Sequence, residues 1–261
     1  MSEVTFDAAN FSEQLGIYDF FNVLLSGTIF VSGYCMINSN VYKELWDNMS
    51  VQKGIIIALT IYIIGMVLQE LGSLADRYIF KIYKGMNQSI LAGWIDENYK
   101  EKTTNKIVSN PFLLKRYRNF AKELLKDFSI KECDYDNKYV SGLVFSSCQY
   151  YVACYGKDKK IEKLRALFAM SKTLIVCFGI LSILAVGSIV FSNEPSLLDG
   201  LPTLGCHTCS GKIYLFVIFV LASIAFYHRA KRTMRNFLLI LLGTYDALKR
   251  AEKRTKRKYR V

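Results

Sequence analysis

Polar side chains interrupt the first apolar stretch of this chain. Asn22, Ser26 and Ser32 lie in the segment 18–37, which otherwise consists mainly of apolar residues. Amides and hydroxyls within a membrane helix either contact a neighbouring helix or line a water-filled path. The second interpretation predicts that the three residues line a pore, whereas the first predicts helix packing alone, and the sequence leaves both open.

A second group of residues that could bind a ligand is basic. These residues are interspersed with aromatic residues and lie away from the apolar segments. Its members are Lys115, Arg116, Arg118, Lys157, Lys159 and Lys160. Cations and aromatic rings together bind nucleotides and single strands by charge and stacking. The pattern predicts a site for an anionic nucleotide or oligonucleotide, although a solvated helix face near anionic lipid would carry the same charges.

Signatures of catalysis are largely missing. The chain has two histidines, and it lacks a phosphate-binding glycine loop, a nucleophile elbow and a zinc-protease motif. Cys206, His207 and Cys209 offer three ligands where a structural zinc site needs about four. They therefore indicate a disulfide or two free thiols, unless symmetry-related subunits complete a site. We expect no enzymatic activity, no cofactor and no metal.

Four apolar segments must position these residues. They cover residues 18–37, 54–72, 173–191 and 212–227. A helix of about twenty apolar residues crosses a hydrocarbon core of roughly 30 Å, and a helix satisfies its own backbone polar groups there. The last segment is the shortest, and Lys212 and His228 stand where they could snorkel and extend it.

The basic residues predict the orientation. Of 34 Lys and Arg residues, nineteen lie in 73–172 and twelve follow residue 228. Because such residues accumulate on the cytoplasmic side, we expect both regions and both termini in the cytoplasm. The net charge of +12 is thus assigned mostly to the water-exposed part of the protein.

The predicted fold is an all-α membrane protein with four transmembrane helices. A cytoplasmic helical bundle is inserted between helices 2 and 3, and a basic helical extension follows helix 4. The predicted domains are an N-terminal cytoplasmic arm (1–17), transmembrane hairpin 1 (18–72), the cytoplasmic helical domain (73–172), transmembrane hairpin 2 (173–227) and the basic C-terminal helix (228–261).

Four local expectations follow from the pattern of apolar residues. The second span should continue as one straight helix to near Tyr99, and residues 112–128 should form an amphipathic helix. Residues 138–156 should be helical, since no partner strand is apparent. Phe237–Leu242 is too short to span a membrane and should be buried.

Three sequence segments are similar to those of a known family. They are Tyr18–Gly27, with Ser26 where that family usually has proline, Glu162–Phe168 and Arg229–Arg235. In these segments the chain resembles small four-helix membrane effectors of bacterial anti-phage defence. Members of this group include the Hailong channel subunit, the Kiwa membrane subunit and CRISPR-associated accessory pore proteins. The resemblance implies a membrane effector that is partnered with a cytoplasmic sensor in the bacterial inner membrane.

These observations together predict a homo-oligomeric ion channel. One four-helix unit encloses no lumen, so subunits are expected to assemble with cyclic symmetry in the lipid bilayer. A nucleotide, an oligonucleotide or a cytoplasmic defence partner would gate the pore, which causes depolarisation and growth arrest. The alternative is a non-conducting scaffold that recruits a nucleic-acid-acting partner through the basic tail Lys249–Val261.

Overall fold

The computed structural model describes residues 8–46, 50–83, 138–157, 159–191 and 210–258, together with seven residues between 119 and 129. Within these residues every regular element is helical and no strand occurs. The longer α-helices are α1 (Ala8–Ile37), α2 (Ser39–Trp46), α3 (Val51–Ala75), α4 (Lys138–Cys154), α5 (Lys159–Phe191) and α6 (Ser210–Lys258). The helical fold class is confirmed, as are the predicted helix over 138–156 and the helical entry into the third span.

Three helical stretches are long and apolar enough to cross a membrane, which gives the chain the character of a helical membrane protein. They are Val51–Phe80, Lys159–Val190 and Gly211–Thr255. Within the described residues, α1 contributes the shorter apolar helix Asn22–Ile37. Of the residues of the first predicted span that precede Asn22, only Phe20 has a side chain that the structure describes.

Two side chains explain why α2 and α3 begin where they do. Asn38 Oδ1 accepts hydrogen bonds from the N–H groups of Asn40 (3.2 Å) and Val41 (3.4 Å) at the start of α2. Ser50 has extended backbone, and its hydroxyl accepts from the N–H of Lys53 at 3.2 Å. Both residues cap N–H groups that the first helical turn leaves without an internal partner.

The helix of the second span does not continue straight into the following region. A π-helical turn, Asp76–Phe80, follows α3, and the Asp76 N–H bonds to the carbonyls of both Gly72 and Ser73. Lys81 then adopts a φ of 49°, a backbone angle that residues other than glycine rarely adopt. The prediction of one straight helix to Tyr99 is therefore wrong at Lys81, and residues 84–99 lie outside the described part.

The chain divides into two compact units. The first consists of Met1–Phe80 and Ala166–Lys231, and the second of Lys81–Arg165 and Arg232–Val261. In the first unit α1 packs along α3. Its apolar core is formed by Ile37, Leu68, Cys177, Leu181, Ala185, Leu215 and Phe219. These residues come from α1, α3, α5 and α6, so all four helices share one core.

Lys212 lies in the first unit at the start of α6. It was expected to snorkel, but it is 3% exposed, and its Nζ donates a hydrogen bond to the Ser188 carbonyl at 3.1 Å. Ser188 lies in the last turn of α5, where carbonyl groups carry partial negative charge. Lys212 therefore ties the beginning of α6 to the end of α5.

The second unit has its own buried residues. Its largest fully buried side chains are Phe145 on α4, Leu124, Ile161 on α5, and Met234, Leu238 and Leu241 on α6. Phe237 and Leu242 are buried as well, which confirms the prediction for Phe237–Leu242. In the predicted amphipathic helix 112–128, Leu124 is buried while Lys122 and Lys126 are exposed. The remaining apolar positions of that helix lie outside the described residues.

Candidate functional site

Two polar residues of α1, Asn22 and Ser26, are buried within the first unit. Asn22 is 6% exposed and Ser26 is fully buried. The Ser26 hydroxyl donates to the carbonyl of Val23 at 3.0 Å, and the Cys177 thiol donates to the Ser26 carbonyl at 3.8 Å. The side-chain nitrogen and oxygen of Asn22 have no hydrogen-bond partner among the described residues. A buried amide without partners is costly, so Asn22 is a site of unsatisfied polarity in an apolar core.

Two glycines allow α1 to approach α3 closely at this level. A Cβ atom at Gly27 would collide with the carbonyl oxygen of Ile61, and one at Gly65 would collide with the carbonyl oxygen of Val23. Small residues at such crossings let the backbones of membrane helices touch. Asn22 and Ser26 are therefore held beside a backbone-to-backbone contact between α1 and α3.

The third predicted pore-lining residue lies elsewhere. Ser32 is exposed on α1, on the outside of this unit with Thr28, whose hydroxyl donates to the Leu24 carbonyl at 2.8 Å. The structure brings Asn22 and Ser26 together on the buried side and leaves Ser32 apart. The three residues consequently do not share one surface in this conformation.

A pair of opposite charges that the sequence interpretation missed joins the π-helical turn to α5. Lys172 Nζ is 3.8 Å from Asp76 Oδ2, and the two side chains are 15% and 9% exposed. The same ammonium group lies 5.0 Å from the centre of the Phe168 ring. A usable signal existed, since one predicted span ends just before Asp76 and another begins just after Lys172, which brings both to the same membrane surface.

The predicted ligand-binding residues are described only in part. Lys157, Lys159 and Lys160 are exposed around the turn between α4 and α5, where Gly156 has a φ of 61°. Lys159 and Lys160 occupy the first turn of α5, whose end carries partial positive charge. Positive charges concentrate there, which favours an anion. Lys115, Arg116 and Arg118 lie outside the described residues.

A cluster of tyrosines, carboxylates and a lysine connects α4 with α6 in the second unit. The Tyr151 hydroxyl donates to Glu252 Oε2 at 2.8 Å, and the Tyr245 hydroxyl donates to Asp127 Oδ2 at 3.4 Å. Lys249 Nζ lies 3.7 Å from Asp127 Oδ2, and 5.1 Å and 5.8 Å from the ring centres of Tyr151 and Tyr245. The sequence interpretation missed this cluster because its members are far apart along the chain.

The side chains of this cluster hold α4 and α6 together, and its tyrosine hydroxyls are protonated at neutral pH, so the cluster is structural and not reactive. Burial raises the pKa of the Tyr151 hydroxyl, and hydrogen bonds to Tyr155 and Glu252 raise it further. Burial also raises the pKa of the neighbouring Cys148 thiol to about 12; the charge of Asp127 adds to this shift and that of Lys249 opposes it. At neutral pH both groups are protonated, and a thiol is not a nucleophile in that form.

In the described residues no group of three or more His, Cys, Asp or Glu side chains is arranged to hold a metal ion. Comparison of the whole chain with protein-family models, curated proteins and solved structures gave no significant match.

Proposed function

We propose that this protein is an oligomeric membrane channel in which α1 moves to line the open pore. The observation that carries this proposal is the buried Asn22 amide, which has no partner among the described residues. Leaving such a group unsatisfied costs about 1–3 kcal/mol. A conformation that turns the Asn22 side of α1 toward water recovers this free energy, so the described conformation is assigned to the closed state.

The polar side chains of α1 suit it for this role. It carries the Asn22 amide and the hydroxyls of Ser26, Thr28 and Ser32. A helix with an amide and hydroxyls loses less free energy than a purely apolar helix when one side meets water. The lipid-facing positions then fall to α3, α5 and α6, which carry many exposed large apolar side chains.

Gating is assigned to the second unit. Lys157, Lys159 and Lys160 present three exposed positive charges, and an anionic nucleotide or oligonucleotide is the proposed signal. Both α5 and α6 contribute residues to each unit, so they are the proposed route by which the signal acts on α1. The ligand opens the channel by binding the open state more tightly than the closed state.

The biological context is proposed from the resemblance of the sequence to membrane effectors of anti-phage defence. The channel would be assembled with cyclic symmetry in the bacterial inner membrane. Opening would dissipate the membrane potential and arrest growth. A single copy encloses no lumen, so conduction requires several subunits around an axis.

The experiment is single-channel recording of the purified protein in planar bilayers, with and without short oligonucleotides. Asn22→Leu removes the buried amide and should lower the open probability about fivefold or more, because the closed state loses its penalty. The matched control is Thr60→Val on α3, where an exposed hydroxyl already donates to the Ile56 carbonyl at 2.9 Å. This control should leave the open probability unchanged.

Three results would overturn the proposal. A protein that stays silent under all conditions is not a channel. A channel in which Asn22→Leu behaves like Thr60→Val is not lined by this side of α1. Finally, a single-subunit particle in detergent and in lipid nanodiscs would remove the oligomeric pore.

The scaffold alternative receives less support from the described residues. It uses the basic tail as a docking surface for a partner, but two of the lysines concerned already contact acidic residues of their own unit. Lys249 lies near Asp127, and Lys253 Nζ lies 3.3 Å from Glu123 Oε2. Both pairs are partly or largely exposed and hence weak, so partner pull-down with a chain truncated before Lys249 remains the direct test of this alternative.

A further inference from the structure

An apolar groove runs along the first unit where the C-terminal part of α3 meets α5. It has a volume of about 610 Å³, within the range of roughly 300–1,000 Å³ that is common for ligand sites. Its lining includes Leu74 and Tyr78 from the second span, Ile180 and Ile183 from α5, and Phe80 at one end. The groove is open on the outer side of helices that are long and apolar enough to cross a membrane, so its surroundings are hydrocarbon.

The groove is mostly apolar. Two of its lining residues, Tyr78 and Ser223, carry hydroxyls, and that of Ser223 donates to the Ile175 carbonyl at 3.2 Å and is thereby satisfied within the protein. Gly179 on α5 also lines it, and a Cβ atom there would meet nothing within 4 Å. A flexible hydrocarbon chain therefore fits this groove, and a polar solute does not.

Two basic residues lie near one end of the groove. Phe80 lies 5.9 Å from Tyr227 between ring centres, and Lys231 Nζ stands 4.5 Å from the centre of the Tyr227 ring. Arg77 is exposed in the π-helical turn between lining residues Ala75 and Tyr78. Aromatic rings with adjacent cations are typical of the interface between hydrocarbon and water. That end of the groove thus lies at headgroup level.

We infer that the groove binds one acyl chain of an anionic phospholipid, whose phosphate contacts Lys231 and Arg77. The apolar lining matches the chain, and the two cations match the headgroup charge. This assignment is independent of whether the protein conducts ions. It separates one specifically bound lipid from the lipid that covers the rest of the exposed apolar surface.

The test is native mass spectrometry of the detergent-solubilised protein, titrated with phosphatidylglycerol or with phosphatidylcholine of the same acyl chains. Gly179→Leu fills the groove from an open position and should weaken phosphatidylglycerol binding at least tenfold. The matched control is Gly187→Leu on the same helix, outside the groove, where a Cβ atom also meets nothing within 4 Å. The control should bind like the unmodified protein.

The headgroup is tested separately. Lys231→Gln should weaken phosphatidylglycerol binding about fivefold, the contribution of one basic residue at an anionic surface. Lys163→Gln, at an exposed position in the second unit, should have no effect. Equal binding of the two lipids, or equal behaviour of the two leucine variants, would overturn the inference. So would a change of oligomer mass in Gly179→Leu without a change in lipid binding, since that outcome identifies a second copy as the occupant.

Discussion

Asn22 is a polar residue buried in apolar surroundings. Its amide has two donors and an acceptor, and it is packed where α1 crosses α3 beside Val23 and Gly65. Ser26, one turn further along, avoids the same problem because its hydroxyl donates back to the Val23 carbonyl. The longer Asn22 side chain has no such solution among the described residues. The unsatisfied hydrogen-bonding groups at this crossing therefore belong to one amide, and one substitution removes them.

Cys148 and Cys154, both on α4, give a prediction for thiol reactivity. Burial raises the pKa of Cys148 from 9.0 to about 12, whereas Cys154 is exposed. At pH 8, maleimide should modify Cys154 readily and leave Cys148 unmodified in the folded protein. Mass spectrometry of the tryptic peptides measures both sites in one sample.

The same thiol has a consequence for stability at alkaline pH. A raised pKa means that the unfolded chain releases the Cys148 proton at a lower pH than the folded chain does. The contribution of this group to the free energy of unfolding is fully present below pH 9 and is lost as the pH rises toward about 12.

The labelling experiment also tests the burial on which both predictions depend. Maleimide labelling of Cys148 at pH 8 at the rate of Cys154 would show that the site is open to solvent.

The sequence shows which residues are polar within an apolar segment, but not where they lie. Asn22 and Ser26 stand out because polar residues are rare in such a segment. Their burial could not be predicted, since the direction of a helix face depends on the partner helix. Ser32 was grouped with them by its chemistry, but it lies on the exposed side of α1. The Asp76–Lys172 pair depends in the same way on how two distant helices pack.

At the scale of elements, the α1–α3 crossing depends on a glycine that tolerates no side chain. Gly65→Ala places a methyl group against the Val23 carbonyl and should destabilise the protein by about 1–3 kcal/mol through overpacking. Gly54→Ala is the matched control on the same helix, since a Cβ atom there meets nothing within 4 Å. It should be neutral or stabilising by up to about 1 kcal/mol, because alanine favours helix.

Thermal unfolding in detergent micelles, followed by circular dichroism, compares the two alanine variants directly. The sign of the effect is the useful quantity, because the two substitutions are chemically identical. If Gly65→Ala were as stable as Gly54→Ala, the close backbone contact between α1 and α3 would not exist in the folded protein.

The ion pair at the π-helical turn gives a second prediction for the elements. Asp76→Asn and Lys172→Met should each destabilise the protein, and a double-mutant cycle should give a coupling free energy of about 0.5–3 kcal/mol. The comparison pair is Arg250–Asp246 on α6, which has a shorter distance of 2.8 Å but a more exposed arginine side chain. Exposed pairs of this spacing contribute about 0.3–0.5 kcal/mol.

Chemical unfolding in micelles measures both cycles under the same conditions. The Asp76–Lys172 pair should couple more strongly because both of its side chains are largely withdrawn from water. A smaller coupling than for Arg250–Asp246 would mean that the two charges are solvated separately. In that case the pair would not hold the π-helical turn of the second span against α5.

The helices themselves were predicted more reliably than their interruptions. Apolar length indicated α3, α5 and α6, and the short run Phe237–Leu242 was correctly expected to be buried. The end of the helix at Lys81 carries no local signal, because lysine has no preference for a positive φ. The interruption therefore belongs to tertiary structure rather than to local sequence.

At the scale of the whole molecule, the charge distribution gives the protein its predicted orientation. Nineteen basic residues in 73–172 and twelve after residue 228 contrast with three in the other connections. Orientation follows from the cost of moving basic residues across the membrane and not from contacts within the fold. The orientation is therefore a prediction that the sequence makes without reference to the packing of the helices.

Native cysteines test this orientation without altering the chain. Cys154 is exposed and lies on the predicted cytoplasmic side, whereas Cys206 and Cys209 lie in the predicted outer connection. A membrane-impermeant maleimide should label Cys154 in inverted membrane vesicles but not in intact cells. After mild reduction, Cys206 and Cys209 should show the opposite pattern. Cys154→Ser should abolish the label on the α4 peptide, which identifies the site. Labelling of Cys154 in intact cells would place the basic region outside the membrane, where a cytoplasmic signal could not reach Lys157, Lys159 and Lys160.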